Sequence, residues 1–420
     1  MMNMTSITES ARTLPVRKSC DVLVAGGGIA GIAAALAAAR GGRKVLLLER
    51  EYALGGMATL GLVTIYLPLC DGAGHQLIAG IGEELLRLSI AHGAEANYPS
   101  AWLEGNDPEA RAKQRYLTQF NPHLFAMRIE QLLMREGVEL LFGTVACAVH
   151  TEGGRITHVT VENKSGRSAI QVGAVIDATG DADICFQASA PTALHEGGNG
   201  LAGWYYYTKN SQVRLKMFGL ADVVQPRPQD QPRKPDPNTN YEAAKVGSLS
   251  QTFRFSGVDG EELSESVVRV HRKMYEDIMK NHAEDETYLP VTMSAIPLVR
   301  MSRRLCGAYT MDDSEERVSF PDSIGMTGDW RKRGPAYEIP YRTLYSPEIS
   351  NLLAAGRDIS VSDRMWDITR VIPGCAVTGE AAGTAAALGT DFPRLDTALL
   401  QRRLKKNGVL LHLDEALPEG

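Results

Sequence analysis

The stretch DVLVAGGGIAGIAAALAAARGGRKVLLLER, residues 21–50, decides the fold of this chain. Residues 22–25 are apolar and include two β-branched valines, as in a buried strand, and the alanine-rich residues 29–40 favour a helix. Two glycines at 41–42 end that helix, and residues 44–48 supply a second apolar run. The order of strand, glycine turn, helix and strand predicts a βαβ unit in a parallel sheet.

The turn in this unit has the spacing Gly26-x-Gly28-x-x-Gly31. One glycine permits a tight turn, one lets the backbone approach a pyrophosphate, and one lets the helix pack closely on the strand. Glu49 lies 18 residues after Gly31, where a carboxylate can accept hydrogen bonds from both hydroxyls of a ribose. Together these residues predict a site for the ADP half of a dinucleotide.

The composition argues against several functional classes. The 420 residues carry a net charge of -6, which gives no broad electrostatic footprint for nucleic acid. The six cysteines form no CxxC pair, which argues against a disulfide framework, a thiolate metal site and a paired-cysteine redox centre. No signal-peptide core and no run of about eighteen apolar residues occurs. We therefore expect a cytoplasmic protein with a small-molecule substrate and neither a membrane span nor a nucleic-acid partner; a homo-oligomer is compatible with the sequence.

A change of composition predicts a second domain inserted into the first. Residues 187–344 contain more aromatic residues and less alanine, together with a proline-rich stretch at 225–239 and an amphipathic helical pattern at 261–282. The alanine-rich style returns at 351–388. We expect a discontinuous nucleotide-binding domain at 19–186 and 345–410, an inserted substrate domain at 187–344, and a polar tail at 1–18.

Several separate blocks of the sequence, taken together, resemble the FAD-dependent oxidoreductase family of bacterial flavoproteins, within the wider glutathione-reductase-like superfamily. The blocks are GGGIAG with Glu49, GGMATLGL, VIDATGDAD, and NLLAAGRDIS followed by TRVIPGCAVTGEAAGTAAAL, supported by SRRLCGAYT and YEIPYRTL. The resemblance covers residues 20–390. It implies an α/β fold with a Rossmann-like FAD-binding domain in three β/β/α layers and an inserted α+β substrate domain.

The resemblance also implies contacts with extended FAD. Glu49 would bind the adenosine ribose, Asp358 the ribityl or phosphate end, and residues 372–376 the flavin pyrimidine. A helix that begins near Gly374 would aim its N–H groups at the negative charge of reduced flavin. The residues implied to bind FAD are Gly26, Gly28, Ile29, Ala30, Gly31, Glu49, Arg50, Gly55, Gly56, Met57, Ala58, Thr59, Val145, Thr179, Gly180, Asp181, Gly356, Asp358, Ile372, Cys375 and Ala376.

Four residues are candidates for the chemistry at the ring. His75 follows the GGMATLGL loop and could act as general acid or base. Arg304 and Arg370 could bind an anionic substrate, although a solvated surface for Arg304 and an ion pair with Asp367 or Asp363 for Arg370 are alternatives. Cys375 lies at a helix start, where a thiol pKa can fall, unless it is a small packing residue.

The expected reaction is a two-electron hydride transfer between a small organic substrate and flavin N5. Two alternatives stay open: an FAD-containing RNA-modifying or structural flavoprotein, and an NAD-only dehydrogenase. Residues 198–203, GNGLAG, repeat the GxGxxG spacing, but no apolar strand precedes them. We therefore expect NAD(P)H to bind only transiently. Glu380 departs from the family pattern, which often has glutamine there.

Overall fold

The computed structural model describes residues 6–218, 241–243 and 253–417. The proline-rich stretch at 225–239 lies outside these residues. The strands are β1 Val16–Ala25, β2 Val45–Leu48, β3 Ile65–Tyr66, β4 Thr118–Gln119, β5 Glu139–Leu141, β6 Val145–Glu152, β7 Arg155–Asn163, β8 Gly166–Asp177, β9 Thr192–Leu194, β10 Gly203–Lys209, β11 Gln212–Phe218, β12 Tyr241–Ala243, β13 Leu289–Met293, β14 Arg303–Leu305, β15 Ser323–Gly328, β16 Ala336–Pro340 and β17 Leu352–Ala354.

The helices of the described residues connect these strands. They are α1 Ile29–Arg40, α2 Gly80–Ser89, α3 Ser100–Leu103, α4 Pro108–Lys113, α5 Pro122–Arg135, α6 Asp183–Gln187, α7 Gly260–Glu284, α8 Asp363–Thr369, α9 Ile372–Leu388, α10 Thr397–Lys406 and α11 Leu413–Ala416. Single 3₁₀ turns span Gly56–Ala58, Tyr341–Thr343 and Phe392–Arg394. Within the described chain, no single helix is long and apolar enough to cross a membrane; only α8 and α9, taken together across a 90° bend, meet that length and composition.

A parallel sheet confirms the predicted βαβ unit. Strand β1 lies between β2 and β8, β5 pairs with β2, and β17 pairs with β8, all in parallel. Val22 is opposite Val45 on one side and Ala174 on the other. Because the strands run in parallel, their carboxyl ends meet at one edge of the sheet, and the loops that follow them gather there.

The long strand β8 joins this sheet to an antiparallel meander. Its first half pairs with β7, which pairs in turn with β6 through the turn at 153–154. The glycine turn therefore joins β6 to β7. Alternate β1 side chains point to opposite faces: Leu23 packs with the meander, and Val24 packs with the helices. These are the three β/β/α layers that the sequence predicted.

Helices α1 and α9 pack backbone against backbone on the helical face of the sheet. A Cβ built on Gly379 would lie 2.2 Å from the carbonyl oxygen of Ala30, and one built on Gly383 would lie 2.1 Å from that of Ala34. Both distances are far below any real carbon–oxygen contact, so only glycine permits this approach at either position. The spacing of four residues puts both glycines on one face of α9.

A second sheet, in the order β12-β11-β10-β13, carries helix α7. Tyr205 and Tyr207 of β10 pack with Val270 and Met274 of α7, as the amphipathic pattern predicted. The backbone N–H of Ala295, just after β13, donates to the carbonyl of Leu60. Side chains between 311 and 344 pack in the same core as α1 and α9, and the domain boundary at 344 stays a prediction.

We expect Gly379→Ala to lower the free energy of unfolding by about 1–3 kcal/mol, because its methyl group would overlap the Ala30 carbonyl and force α9 away from α1. Urea unfolding of the two proteins measures this difference. Gly260→Ala is the matched control, since nothing lies within 4 Å of a Cβ at that helical position. Helix propensity alone favours alanine at both sites. Equal stability of the two variants would contradict the α1–α9 contact.

Candidate functional site

The glycine turn after β1 leaves an open backbone surface at the start of α1. Gly26 has a φ of +108°, and a Cβ there would lie 2.3 Å from the carbonyl oxygen of Ala178. A Cβ on Gly31 would lie 1.9 Å from the carbonyl oxygen of Gly26. Gly28, in contrast, has nothing within 4 Å on the side where its Cβ would be. Gly26 and Gly31 therefore close the turn, and Gly28 faces open space where a phosphate can approach.

Glu49 is fixed at the end of β2 by backbone hydrogen bonds. One carboxylate oxygen accepts from the N–H of Gly27 at 2.8 Å, and the other accepts from the N–H of Glu51 at 2.8 Å. Burial raises its pKa above the ordinary value, although these hydrogen bonds act in the opposite direction. Each oxygen keeps lone pairs that can accept from ribose hydroxyls.

The loop after β2 crosses over the glycine turn. The N–H of Gly55 donates to the carbonyl of Gly27 at 2.8 Å, and a Cβ on Gly56 would lie 3.3 Å from the Cα of Gly28. Thr59 donates through its hydroxyl to the carbonyl of Leu54 at 2.5 Å. Two glycine-rich segments thus form one cradle whose lining is mainly backbone.

Asp358 is a fully buried carboxylate at the same edge of the sheet. Its Oδ2 accepts from the N–H groups of Gly180 and Ala182, each at 3.3 Å, while its Oδ1 has no hydrogen-bond partner among the described residues. Burial raises its pKa well above the ordinary value. A buried acceptor without a donor is costly, so Oδ1 marks a place where a ligand hydroxyl would be stabilising.

The N-terminus of α9 completes this edge. Val371 provides no side-chain cap, so the first N–H groups of α9 stay available to a ligand. A Cβ on Gly356 would lie 2.6 Å from Ala30 and 3.6 Å from the Cys375 sulfur, which places α1, α9 and the loop after β17 in contact. Loops from separate parts of the chain therefore meet in one groove.

The groove fits the FAD that the resemblance implies. It offers open glycine backbone, a ribose acceptor in Glu49, an unsatisfied acceptor in Asp358 and a helix N-terminus in α9. Arg50 and Val145 lie exposed beside Glu49, as residues near an adenine would. Asp181, which the resemblance also assigns to FAD, already forms an ion pair with Arg357 at 2.7 Å. The individual contacts of these residues with FAD stay predictions.

Cys375 does not have the lowered thiol pKa expected at a helix start. Burial raises its pKa to about 12, which outweighs the effect of the nearby Arg357 and Arg370 guanidiniums. Its sulfur lies 3.3 Å from the carbonyl oxygen of Arg370. The structure therefore favours the alternative of a small packing residue, in contact with Gly356, and a redox role for Cys375 stays a prediction.

Arg370 and His75 are each held by a neighbouring carboxylate. Arg370 forms an ion pair with Asp367, which also binds Arg331. Burial alone would raise the pKa of Asp367, but the Arg370 and Arg331 guanidiniums lower it below the ordinary value. His75 bonds through Nδ1 to Asp71 at 2.8 Å, and every hydrogen bond described for His75 is to that residue. Their catalytic roles stay predictions.

Arg304 lies in a cluster that sequence reasoning missed. Its guanidinium is 5.8 Å from the centre of the Trp366 ring, and the described residues show no ion-pair partner for it. His195 contacts the same tryptophan edge-on and bonds through Nδ1 to Asp363 at 2.9 Å. The side chain of His195 is 3% exposed, and its Nε2 has no partner among the described residues. We call Arg304, His195, Asp363 and Trp366 the His195 cluster.

The chemistry of the His195 cluster follows from its hydrogen bonds. The bond from His195 lowers the pKa of Asp363, so the carboxylate is ionised and the imidazole carries its proton on Nδ1. In the neutral ring Nε2 is then an acceptor, which is the state of a general base. In the sequence, this cluster shows only as a single histidine that lies 168 positions before the aspartate to which it bonds.

No group of histidine, cysteine or acidic side chains suited to a metal ion occurs in the part of the chain that the structure describes.

Comparison with known proteins identifies one family. A family model described as FAD dependent oxidoreductase matches residues 21–404. No curated protein matches the sequence.

Two solved structures illustrate the similarity of shape. A geranylgeranyl bacteriochlorophyll reductase-like protein from Thermoplasma acidophilum is 14% identical, with a TM-score of 0.45, over 93% of this chain and 84% of that one. A p-nitrophenol 4-monooxygenase from Pseudomonas putida DLL-E4 is 12% identical, with a TM-score of 0.44, over 93% of this chain and 81% of that one. At these TM-scores neither carries an argument about substrate.

We expect Glu49→Gln to weaken FAD binding roughly tenfold to a hundredfold, because an amide NH₂ would face a backbone N–H and a charged acceptor for ribose would be lost. Equilibrium titration of the FAD-free protein with FAD measures the affinity. Glu51→Gln is the control, since that side chain is 43% exposed and pairs only loosely with Arg50 at 3.7 Å. If both variants bind FAD equally well, Glu49 does not hold the ribose.

Proposed function

Because the chain belongs to the FAD-dependent oxidoreductase family, we propose that this enzyme catalyses a two-electron hydride transfer between a small anionic organic substrate and the N5 atom of bound FAD. FAD, when bound, supplies the hydride chemistry, and the protein supplies position, charge and a proton acceptor or donor.

The observation that carries the proposal is the groove that begins at Glu49 and continues to Asp358 and the start of α9. Glu49 alone would hold only the ADP half of a nucleotide. Asp358, with its unpartnered Oδ1, and the uncapped N–H groups of α9 extend the site further along the sheet edge. A dinucleotide bound in extended form would contact both ends of this groove.

The start of α9 gives the far end of the groove a positive potential. A helix N-terminus stabilises nearby negative charge by about 0.3–2 kcal/mol. Its uncapped N–H groups would favour the reduced flavin, which is anionic near its pyrimidine ring. Burial keeps the Cys375 thiol in its neutral form, so it adds no opposing negative charge there.

The second sheet supports a covered substrate site beside this end of the groove. Trp204 and Leu298 pack with Leu62, and Met57 lies against the same cluster. A Cβ on Gly61 would lie 3.0 Å from Leu298. The sheet is thus packed on the loop proposed to run along the flavin, which would exclude water from the reacting atoms.

The His195 cluster supplies charge and a proton acceptor for the substrate. Asp363 fixes the ring of His195 and leaves Nε2 free to take a proton from a substrate hydroxyl or amine as hydride leaves it, or to return one in the opposite direction. Arg304 would pair with a carboxylate or phosphate of the substrate. The shared contact with Trp366 keeps both groups in one place.

Purified protein should carry one FAD per chain, and an anionic substrate should bleach the flavin absorbance under anaerobic conditions. The absorption spectrum and a panel of hydroxy acids, amino acids and their oxidised forms provide the measurement. A protein without flavin bands that binds only NAD would contradict the proposal in favour of an NAD-only dehydrogenase. Tight RNA binding without substrate-dependent bleaching would favour an RNA-modifying or structural flavoprotein.

His195→Gln should lower turnover by roughly 10²–10⁴-fold, because it removes the proton acceptor while FAD content stays unchanged. Stopped-flow flavin reduction measures the rate, and the flavin absorbance of each purified variant measures its FAD content. His123→Gln, on the exposed start of α5, is the control. Wild-type turnover in His195→Gln would remove the histidine from the mechanism.

A further inference from the structure

A cavity of about 250 Å³ lies at the end of α1 and α9 opposite to the FAD groove. Its wall includes Arg40 and Gly41, where α1 ends, and Leu388, where α9 ends. The FAD groove lies at the starts of the same two helices. The cavity exceeds the roughly 30 Å³ that one water occupies in the liquid, so it can hold a small organic molecule.

Glu380 forms the floor of this cavity. It is 2% exposed, and its Oε2 accepts a hydrogen bond of 2.7 Å from the N–H of Ile81 in the first turn of α2. A Cβ on Gly80 would lie 2.6 Å from the same oxygen, so the glycine lets the carboxylate reach the helix. The Ile81 N–H occupies one lone pair of this oxygen, so the carboxylate can accept further hydrogen bonds. Among the described residues, no cation forms an ion pair with Glu380.

Thr384 lies one turn further along α9 and lines the same cavity. It is 2% exposed, and its hydroxyl has no hydrogen-bond partner among the described residues. Other threonines of the core, such as Thr378, donate to the preceding turn of the helix. A buried hydroxyl without a partner costs stability unless a ligand satisfies it, so the floor offers one unsatisfied hydroxyl, one helical turn from a carboxylate that can accept further hydrogen bonds.

The surroundings favour a positive ligand at the floor. Helices α1, α9 and α10 all end at the cavity, at Gly41, Leu388 and Asn407, and these three C-termini contribute negative potential that outnumbers the single N-terminus there, the start of α2 at Gly80. Of the charged groups that face it, Arg40 is neutralised by a two-pronged ion pair with Glu84 and a second pair with Glu136. Arg403 lies exposed at the rim.

We propose that this cavity binds a small molecule with a primary ammonium group, which donates hydrogen bonds to Glu380 and Thr384, while the rest of the molecule extends toward Arg403. A carboxylate at the end of the ligand near Arg403 would form an ion pair with its guanidinium. The class of ligand that fits is therefore a small amino acid or amino alcohol. The site is distinct from the FAD groove and does not depend on the reaction proposed there.

Binding is coupled to the proton on Glu380. Burial raises the pKa of Glu380 to about 8, so the empty site carries a proton at neutral pH. An ammonium ligand requires the ionised carboxylate and therefore releases that proton on binding. As the pH rises toward 8, a larger fraction of the carboxylate is already ionised and fewer protons are released.

Calorimetric titration of the FAD-loaded protein with ethanolamine tests the proposal. We expect saturable binding whose heat depends on the buffer at pH 7, because a proton is released, and a smaller proton release as the pH rises from 7 to 8. Glu380→Gln keeps an acceptor for the Ile81 N–H but loses the charge, so it should fold, retain FAD and bind ethanolamine at least roughly tenfold more weakly. Thr384→Val should also weaken binding and leave FAD content unchanged.

The controls separate the ammonium site from general electrostatics. Glu136→Gln removes a partner of Arg40 outside the cavity and should leave the affinity within about twofold. Tetramethylammonium, which has charge but no N–H donor, should bind more weakly than ethanolamine. Absence of saturable binding by ethanolamine at millimolar concentrations, or equal affinity in wild type and Glu380→Gln, would overturn the proposal.

Discussion

The structure depends on the direct contact between α1 and α9. Gly379 and Gly383 set the backbone of α9 against the Ala30 and Ala34 carbonyls, at a distance that no side chain permits. The two helices come from opposite ends of the chain, and the parallel sheet that they cover is also completed by the late strand β17. Nearly the whole chain must therefore be present before the nucleotide-binding layer is closed.

The contact between α1 and α9 also sets the surroundings of the two ligand sites, one at the starts of these helices and one at their ends. At their starts, Gly356 lies against Ala30 and the Cys375 sulfur, and Val371 leaves the N-terminus of α9 without a side-chain cap. At their ends, where Gly41 still packs against Ala387, the two helices line the cavity above Glu380 and Thr384. Close backbone packing thus produces one groove suited to anionic phosphates and flavin and, at the other end, one pocket suited to a cation.

The parts of the fold that the sequence predicted are those encoded by near neighbours. The strand, turn and helix around Gly26, Gly28 and Gly31 follow from local propensity, and so do the amphipathic helix α7 and the ion pair between Arg370 and Asp367, three residues apart. The family model confirms the FAD-dependent class that the resemblance implied. In each case the relevant residues lie within a few turns of one another, or within a motif of fixed spacing.

What sequence reasoning missed was encoded by distant partners. His195 meets Asp363 because β9 pairs with β14, whose Leu305 N–H bonds the carbonyl of Asp358 shortly before α8. The raised pKa of Cys375 comes from burial against segments distant in sequence, such as the loop at Gly356, which its position at a helix start does not reveal. Glu380 was seen only as a departure from a motif, because its partner Ile81 and its cavity belong to α2, α1 and α10.

The central claim is that one ligand, extended FAD, spans the groove from Glu49 to the start of α9. A crystal structure of the FAD-loaded protein tests it most directly. The account predicts continuous density along the groove, with the adenosine ribose on Glu49, a FAD hydroxyl within hydrogen-bond distance of Asp358 Oδ1, and the flavin pyrimidine facing residues 372–376. Density that ends after the ADP half, or a flavin held elsewhere with Asp358 Oδ1 still unpartnered, would contradict it.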